Sequence, residues 1–286
     1  MHATENHSAY GPVYRNPERG DIFDGSSSAT PEAHIDVTTY LNRIDYDGPL
    51  TPDADTLRAL QVAHLYTVPF ENLSIYLDEP IVLDVEALFE KVVTRRRGGF
   101  CYELNGLFAT LLQALGFRVD MFSARVRGSD KEYGPAFDHL TLLVSLSERW
   151  LVDVGFGDSF LEPLRLDVRE VQPQGERCYR ILDDKAELVL ESKGREGEWT
   201  PQYRFGTTAY HLADFAEMCR YHQSSPESHF TENTVCTMAA PGGRVTISGT
   251  RLITTTSGER IERELSDKPY YSNTLREQFN IVIDKG

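Results

Sequence analysis

At Gly116 the spacing of apolar residues changes period, and that change constrains the fold of this 286-residue chain more than any other feature. Upstream, apolar residues recur every three or four positions, as on one face of a helix. Downstream they come in short alternating or continuous runs, as in strands. Four helices are expected before the switch. Val37, Tyr40, Leu41 and Ile44 form a stripe stopped by Gly48-Pro49. A second helix starts at Pro52 and carries Leu57, Leu60 and Leu65 up to Pro69. A third follows Asp84 as N-cap, turns Val85, Leu88, Phe89 and Val92 inward, and ends at Gly98-Gly99. The fourth begins near Cys101 and carries Leu104, Leu107, Phe108, Leu111, Leu112 and Leu115. Strands are expected over 117–127, 139–146, 150–154, 179–182, 187–192 and 199–205. An amphipathic helix follows around Leu212, Phe215, Ala216 and Cys219, then short strands between 234 and 264 and a small helix over 274–279. Helices first and mainly strands after is an α+β order, not alternating βαβ. Residues 1–33 lack apolar periodicity, include Gly25-Ser26-Ser27-Ser28, and read as a flexible N-terminal extension.

Charge narrows the function. The net charge of −15 argues against a nucleic-acid or anionic-membrane partner, because both need a cationic face. One segment runs against that total. Residues 91–127 hold seven Lys and Arg against two acids, which leaves −20 for the rest of the chain. The acidic total therefore does not exclude one basic pocket. The Arg95-Arg96-Arg97 run reads first as a helix C-terminus complementing its dipole. The apolar stretch 107–117 is broken by Thr110, Gln113 and Gly116, so no membrane span is expected. No secretory leader pattern and no cysteine framework are visible, and a cytoplasmic protein is the expectation. Nor is there a metal-ligand spacing or a glycine-rich nucleotide fingerprint.

Chemistry concentrates in Arg97-Gly98-Gly99-Phe100-Cys101-Tyr102-Glu103-Leu104-Asn105-Gly106. The glycines bring the backbone close to a ligand, and Cys101 falls at the first turn of an amphipathic helix. The positive end of the helix dipole there lowers a thiol pKa, as a nucleophile requires. A buried packing thiol is the competing reading. A nucleophilic cysteine also needs a base and an orienter. His139 opens an apolar strand, whereas His64 and His211 read as helix-surface or capping residues. Asp153 sits inside the apolar run 150–154, where an unpartnered acid is costly. A hairpin turning at Ser147-Glu148-Arg149 and pairing Leu146 with Trp150 brings His139 and Asp153 near each other. Cys178, Cys219 and Cys236 read as packing residues.

These residues resemble the arylamine N-acetyltransferase family of the bacterial type. The resemblance runs from about Ile35 onward and rests on five ordered blocks: Val68-Pro69-Phe70-Glu71-Asn72-Leu73, residues 97–108, His139-Leu140-Thr141-Leu142, Asp153-Val154-Gly155-Phe156-Gly157, and Ser224-Ser225-Pro226-Glu227-Ser228-His229-Phe230. It implies an N-terminal helical bundle over 34–116 and a central β-barrel-like domain over 117–206. An interdomain helix and loop over 207–233 and a C-terminal α/β lid over 234–286 complete the layout, around a cysteine-protease/transglutaminase-like catalytic core. It implies Cys101 as nucleophile, His139 as base and Asp153 as orienter. Phe70, Val126 and Phe156 match acceptor-lining positions. Gly157, His229 and Phe230 match coenzyme A contacts of bacterial members, and Ser224 a contact of animal members. Arg97 and Glu71 match a structural ion pair.

The implied reaction is a ping-pong transfer of acetyl from acetyl-CoA to an arylamine or hydrazine, without a metal, in a monomer or homodimer. A thioester exchanges readily with a thiolate, which suits cysteine to this donor. An amide synthase releasing a carrier-bound polyketide chain with the same triad is the first alternative. A thiol hydrolase or transglutaminase-like enzyme is the second, and a non-catalytic binding protein the third.

Overall fold

The computed structural model describes residues 35–194, 196–265 and 268–283, so the extension expected over 1–33 lies outside the described residues. Helix α1 (Val37–Arg43) starts where Asp36 accepts the Thr39 N–H. Helix α2 (Ala54–Thr67) begins just beyond the expected Pro52, because Asp53 takes the N-cap and accepts from Thr56. Strand β1 (Phe70–Glu71) and helix α3 (Leu73–Tyr76) follow, both too short for a periodic signal. Helix α4 (Val85–Phe89) is capped by Asp84 as expected. It then continues as a π-helical turn, Glu90–Thr94, closed by Arg95 N–H to the Glu90 carbonyl. The buried Arg43 guanidinium donates to the carbonyls of Thr67, Val92 and Arg97. It thereby ties the end of α2, the π turn and the loop before Cys101 together. Helix α5 (Cys101–Ala114) is buried along nearly all its length and forms the axis of the largest core.

Beyond Gly116 the chain builds β2 (Arg118–Val126), β3 (His139–Ser145), β4 (Arg149–Val152), β5 (Leu164–Arg165), β6 (Gln172–Gln174), β7 (Arg177–Asp184), β8 (Glu187–Gly194) and β9 (Thr200–Tyr210). These make one antiparallel sheet in the order β5-β4-β3-β2-β9-β8-β7-β6. Its two edges meet through side chains. The Gln172 amide bonds both the N–H and the carbonyl of Arg165, and Gln174 does the same for Leu161 N–H and the Glu162 N–H and carbonyl. Two glutamines thus stand in for a missing strand pair and nearly close a barrel. Its interior is a second core that includes Phe122, Phe160, Tyr179, Tyr203 and Phe205. β3 reads as a continuous apolar run because both of its faces are covered. Leu140, Leu142 and Val144 pack on the helical side and Leu143 on the barrel side.

The chain then forms the 3₁₀ turn Leu212–Phe215, α6 (Ala216–Ser224) and α7 (His229–Glu232). Four strands follow: β10 (Val235–Ala240), β11 (Gly243–Ser248), β12 (Arg251–Thr256) and β13 (Glu259–Glu264). They join β1 in a second sheet, β1-β10-β11-β12-β13. Helix α8 (Lys268–Phe279) covers it with Leu275 and Phe279 and is longer than the 274–279 expected. No helix among the described residues is long and apolar enough to cross a membrane.

Two local expectations are corrected. The β3–β4 hairpin pairs Trp150 with Val144, not Leu146, because its three-residue turn lies one position earlier, between Ser145 and Arg149. His64 is fully buried between the rings of Tyr40 and Phe108, not on a helix surface. His211 does cap, as N-cap of the 3₁₀ turn.

Candidate active site

The loop before Cys101 is fixed by close packing. Neither Gly98 nor Gly99 has a positive φ, so neither is there to turn the chain. A Cβ on Gly98 would collide with the Pro69 carbonyl, and the Gly99 carbonyl accepts from Glu71 N–H at 2.8 Å. β1 therefore lies directly against this loop. Glu103 accepts the Phe100 N–H at 3.0 Å and closes a capping interaction that starts α5 at Cys101.

His139 opens β3, and its Nε2 lies 2.7 Å from Asp153 Oδ2. Both side chains are buried. β4 ends at Val152, so the chain turns and brings the Asp153 carboxylate back toward α5. Asn105, one helical turn from Cys101, holds it there. Its amide donates to Asp153 Oδ1 and to the Leu140 carbonyl, and its oxygen accepts Val154 N–H. Gly155 N–H donates to Asp153 Oδ1 and the Tyr203 hydroxyl to Oδ2. A Cβ on Gly155 would stand 2.7 Å from Cys101 Cα, so only glycine permits this approach.

Electrostatics separate the groups. Burial pushes the Asp153 carboxyl up, but the charge of His139 and hydrogen bonds from His139, Asn105 and Gly155 overcome it and hold the group below the ordinary range. Burial pushes the Cys101 thiol well up, and the Asp138 and Asp153 carboxylates push the same way. The Leu140 N–H facing the sulfur opposes them without prevailing. Desolvation of this buried thiol therefore works against the lowering expected from the helix dipole.

Around this centre lie most of the other residues singled out in the sequence. The Phe156 ring stands 5.2 Å from those of both His139 and Tyr203. Ala124 pairs with His139, and Val126 follows two residues on along β2. A Cβ on Gly157 would lie 3.5 Å from the Phe70 ring. Phe230 packs against Phe70 and Phe100, and His229 against Phe230. Ser224 is not joined to this group. It is exposed, and its hydroxyl donates to the Arg220 carbonyl of its own helix.

The basic segment is partly neutralised. Lys91 pairs with Glu103, Arg95 with Glu79, and Arg97 with Glu71 and Glu79. The expected Arg97–Glu71 bridge is thus present and buried. Three of the seven cations are held by carboxylates, two of which lie outside the segment and escaped the count. The sequence reading missed Asn105, Tyr203 and His222. Asn105 had a signal, its i+4 spacing from Cys101, whereas Tyr203 arrives from β9 without one. No cluster of three or more metal-capable side chains occurs among the described residues.

A family model described as N-acetyltransferase matches residues 53–286, which puts the chain among acyltransferases. The arylamine N-acetyltransferase of Escherichia coli is 36% identical over 251 residues, covering 86% of this chain and 88% of that one. That of Mycolicibacterium smegmatis is 39% identical over 232 residues, 78% of this chain and 84% of its own. Two solved structures superpose along most of the chain. The Mycobacterium marinum arylamine N-acetyltransferase in complex with CoA has a TM-score of 0.80 at 35% identity, covering 86% of this chain and 93% of that one. The Salmonella typhimurium enzyme has a TM-score of 0.82 at 31% identity, with 87% and 92% covered. The chain belongs to the arylamine N-acetyltransferase family.

Proposed function

We propose that this protein moves an acetyl group from acetyl-CoA to the nitrogen of an arylamine, arylhydrazine or hydrazine through an acetyl-Cys101 intermediate. The observation that carries the reading is the buried 2.7 Å contact between His139 and Asp153 beside the first turn of α5. Asp153 engages Nε2, leaving the other ring nitrogen, Nδ1, as the base. Asp153 orients the His139 ring and stabilises its cation, so that His139 holds the Cys101 proton as sulfur attacks the thioester carbonyl. The new S–C bond forms, backbone N–H groups at the start of α5 hold the oxyanion, and the C–S bond to coenzyme A breaks. His139 returns the proton to the departing sulfur. The amine then attacks the acetyl carbon, His139 takes a proton from its nitrogen, and the Cys101 sulfur leaves and is reprotonated.

Phe70, Val126 and Phe156 line the acceptor side in this reading. Gly157, His229 and Phe230 take the coenzyme A side, supported by the packing of Phe230 on Phe70 next to Gly157. Nothing in the geometry supports Ser224 as a contact. The layout of helical bundle, barrel and lid around a cysteine-protease-like core belongs to the same proposal. The named relatives are arylamine N-acetyltransferases, and no observation supports the amide-synthase alternative. Mass spectrometry of the protein mixed with acetyl-CoA and no amine tests the mechanism. An acetyl adduct on Cys101, lost in Cys101→Ala, is expected; its absence from the parent protein overturns the proposal.

A further inference from the structure

Phe137, two residues before His139, has φ of 65°. That left-handed conformation is unfavourable for a bulky side chain and persists only where neighbours hold it. Here the neighbours are identifiable. The Ser123 hydroxyl oxygen accepts Phe137 N–H at 2.8 Å. The Phe137 ring packs edge-on against Tyr210 and Phe215. On the other side the Tyr102 hydroxyl reaches the Phe137 carbonyl at 2.7 Å and the Asp138 carbonyl at 3.1 Å, sharing one proton between them. Tyr102 is fully buried and immediately follows Cys101. Asp138, in turn, accepts Val126 N–H through Oδ2, while Oδ1 lies 3.2 Å from His222 Nε2, whose ring stacks on Tyr102.

From this arrangement we infer that Tyr102 is a positioning residue. Its hydroxyl clamps the strained Phe137 turn, so that the strand carrying His139 enters at a fixed distance from the helix turn carrying Cys101. The nucleophile and the base come from elements far apart in the chain, and this is a direct polar link between their immediate neighbours. Burial and the nearby Cys101 and Asp138 push the phenol far up, so it stays a hydrogen-bond donor across the working pH range. The inference rests on the proposed roles of Cys101, His139 and Asp153.

Tyr102→Phe removes the hydroxyl and keeps the ring packing. The informative readout is the alkylation rate of Cys101 by iodoacetamide against pH, followed on the Cys101 peptide, because it reports thiol–imidazole coupling without needing acetyl transfer. Misplacement of the base is expected to slow alkylation at neutral pH and lower kcat about tenfold to a hundredfold, with KM for acetyl-CoA within about twofold. The rise of the alkylation rate should also move to higher pH. Ser123→Ala, which frees the same turn from the other side, should shift the profile the same way by less. An unchanged alkylation profile in both variants, whatever happens to Tm, overturns the clamp. If the parent protein forms no acetyl adduct yet Tyr102→Phe still shifts the profile, the proposed reaction fails and the clamp stands.

Discussion

Asp153 and His64 are both buried ionisable groups, and their neighbours send them in opposite directions. Asp153 keeps its charge because both of its oxygens are hydrogen-bonded, to Asn105 and Gly155 on one side and His139 and Tyr203 on the other. Among the described residues neither ring nitrogen of His64 has a partner, and burial pushes its pKa down to about 3. The folded protein therefore excludes a proton that the unfolded chain binds below its ordinary value of 6.5. Stability is full above that value and falls by about 1.4 kcal/mol per pH unit as pH drops toward 3. His64→Leu should remove this part of the acid slope and raise stability near neutrality by about 1 kcal/mol, read from urea denaturation at several pH values. An unchanged slope would place the acid sensitivity elsewhere. Cys101, His139 and Asp153 stand out in the sequence because each breaks a local pattern: a thiol at a helix start, an imidazole opening a strand, an acid within an apolar run. Tyr203 breaks none, since an aromatic in a strand is ordinary, and only the barrel's curvature carries its hydroxyl to Asp153.

Elements differ in how far they announce themselves. α2, α5, β2, β3 and β9 are long enough for their period to show, and they lie close to where the apolar spacing puts them. β1, β5 and β6 have two or three residues each, below any periodic window. The π turn after α4 depends on the Val92 carbonyl being taken by Arg43, a partner 49 positions away. The β5–β6 seam depends equally on tertiary contact, since its strands meet through glutamine amides. Replacing Gln172 and Gln174 together with Ala should cost about 1–2 kcal/mol, discounted because the seam is partly exposed. Amide exchange should speed up across 161–165 while β2 and β3 keep their protection. Uniform exchange in parent and variant would mean that the barrel closes without the glutamines.

For the whole molecule, contacts between segments distant in the chain fix the surroundings of the site. Asn72, at the end of β1, donates to the carbonyls of Phe230 and Asn233 and accepts Val235 N–H. One buried amide thus fixes the segment that presents His229 and Phe230. Asn72→Ala should lose on the order of 3 kcal/mol and lower Tm by about 6 to 12 °C. Its KM for acetyl-CoA should rise more than its KM for the amine, and an equal rise in both would count against the donor side assigned to Phe230. Net charge shows the limit of reading a chain as a sum. The −15 total argues against a nucleic-acid or anionic-membrane partner, but the basic count around Cys101 overstated the free charge, because Glu71 and Glu79 fold in from outside the segment. The sequence by itself determined the helix-to-strand order, the family, and which cysteine, histidine and aspartate to watch, because these lie in local period and short motifs. Only the tertiary structure decided the burial of the thiol, the strained turn at Phe137, the near-closing of the barrel and the partners of Asp153. Each of these is set by packing or by a hydrogen bond between residues distant in the chain, and neither leaves a trace in local spacing.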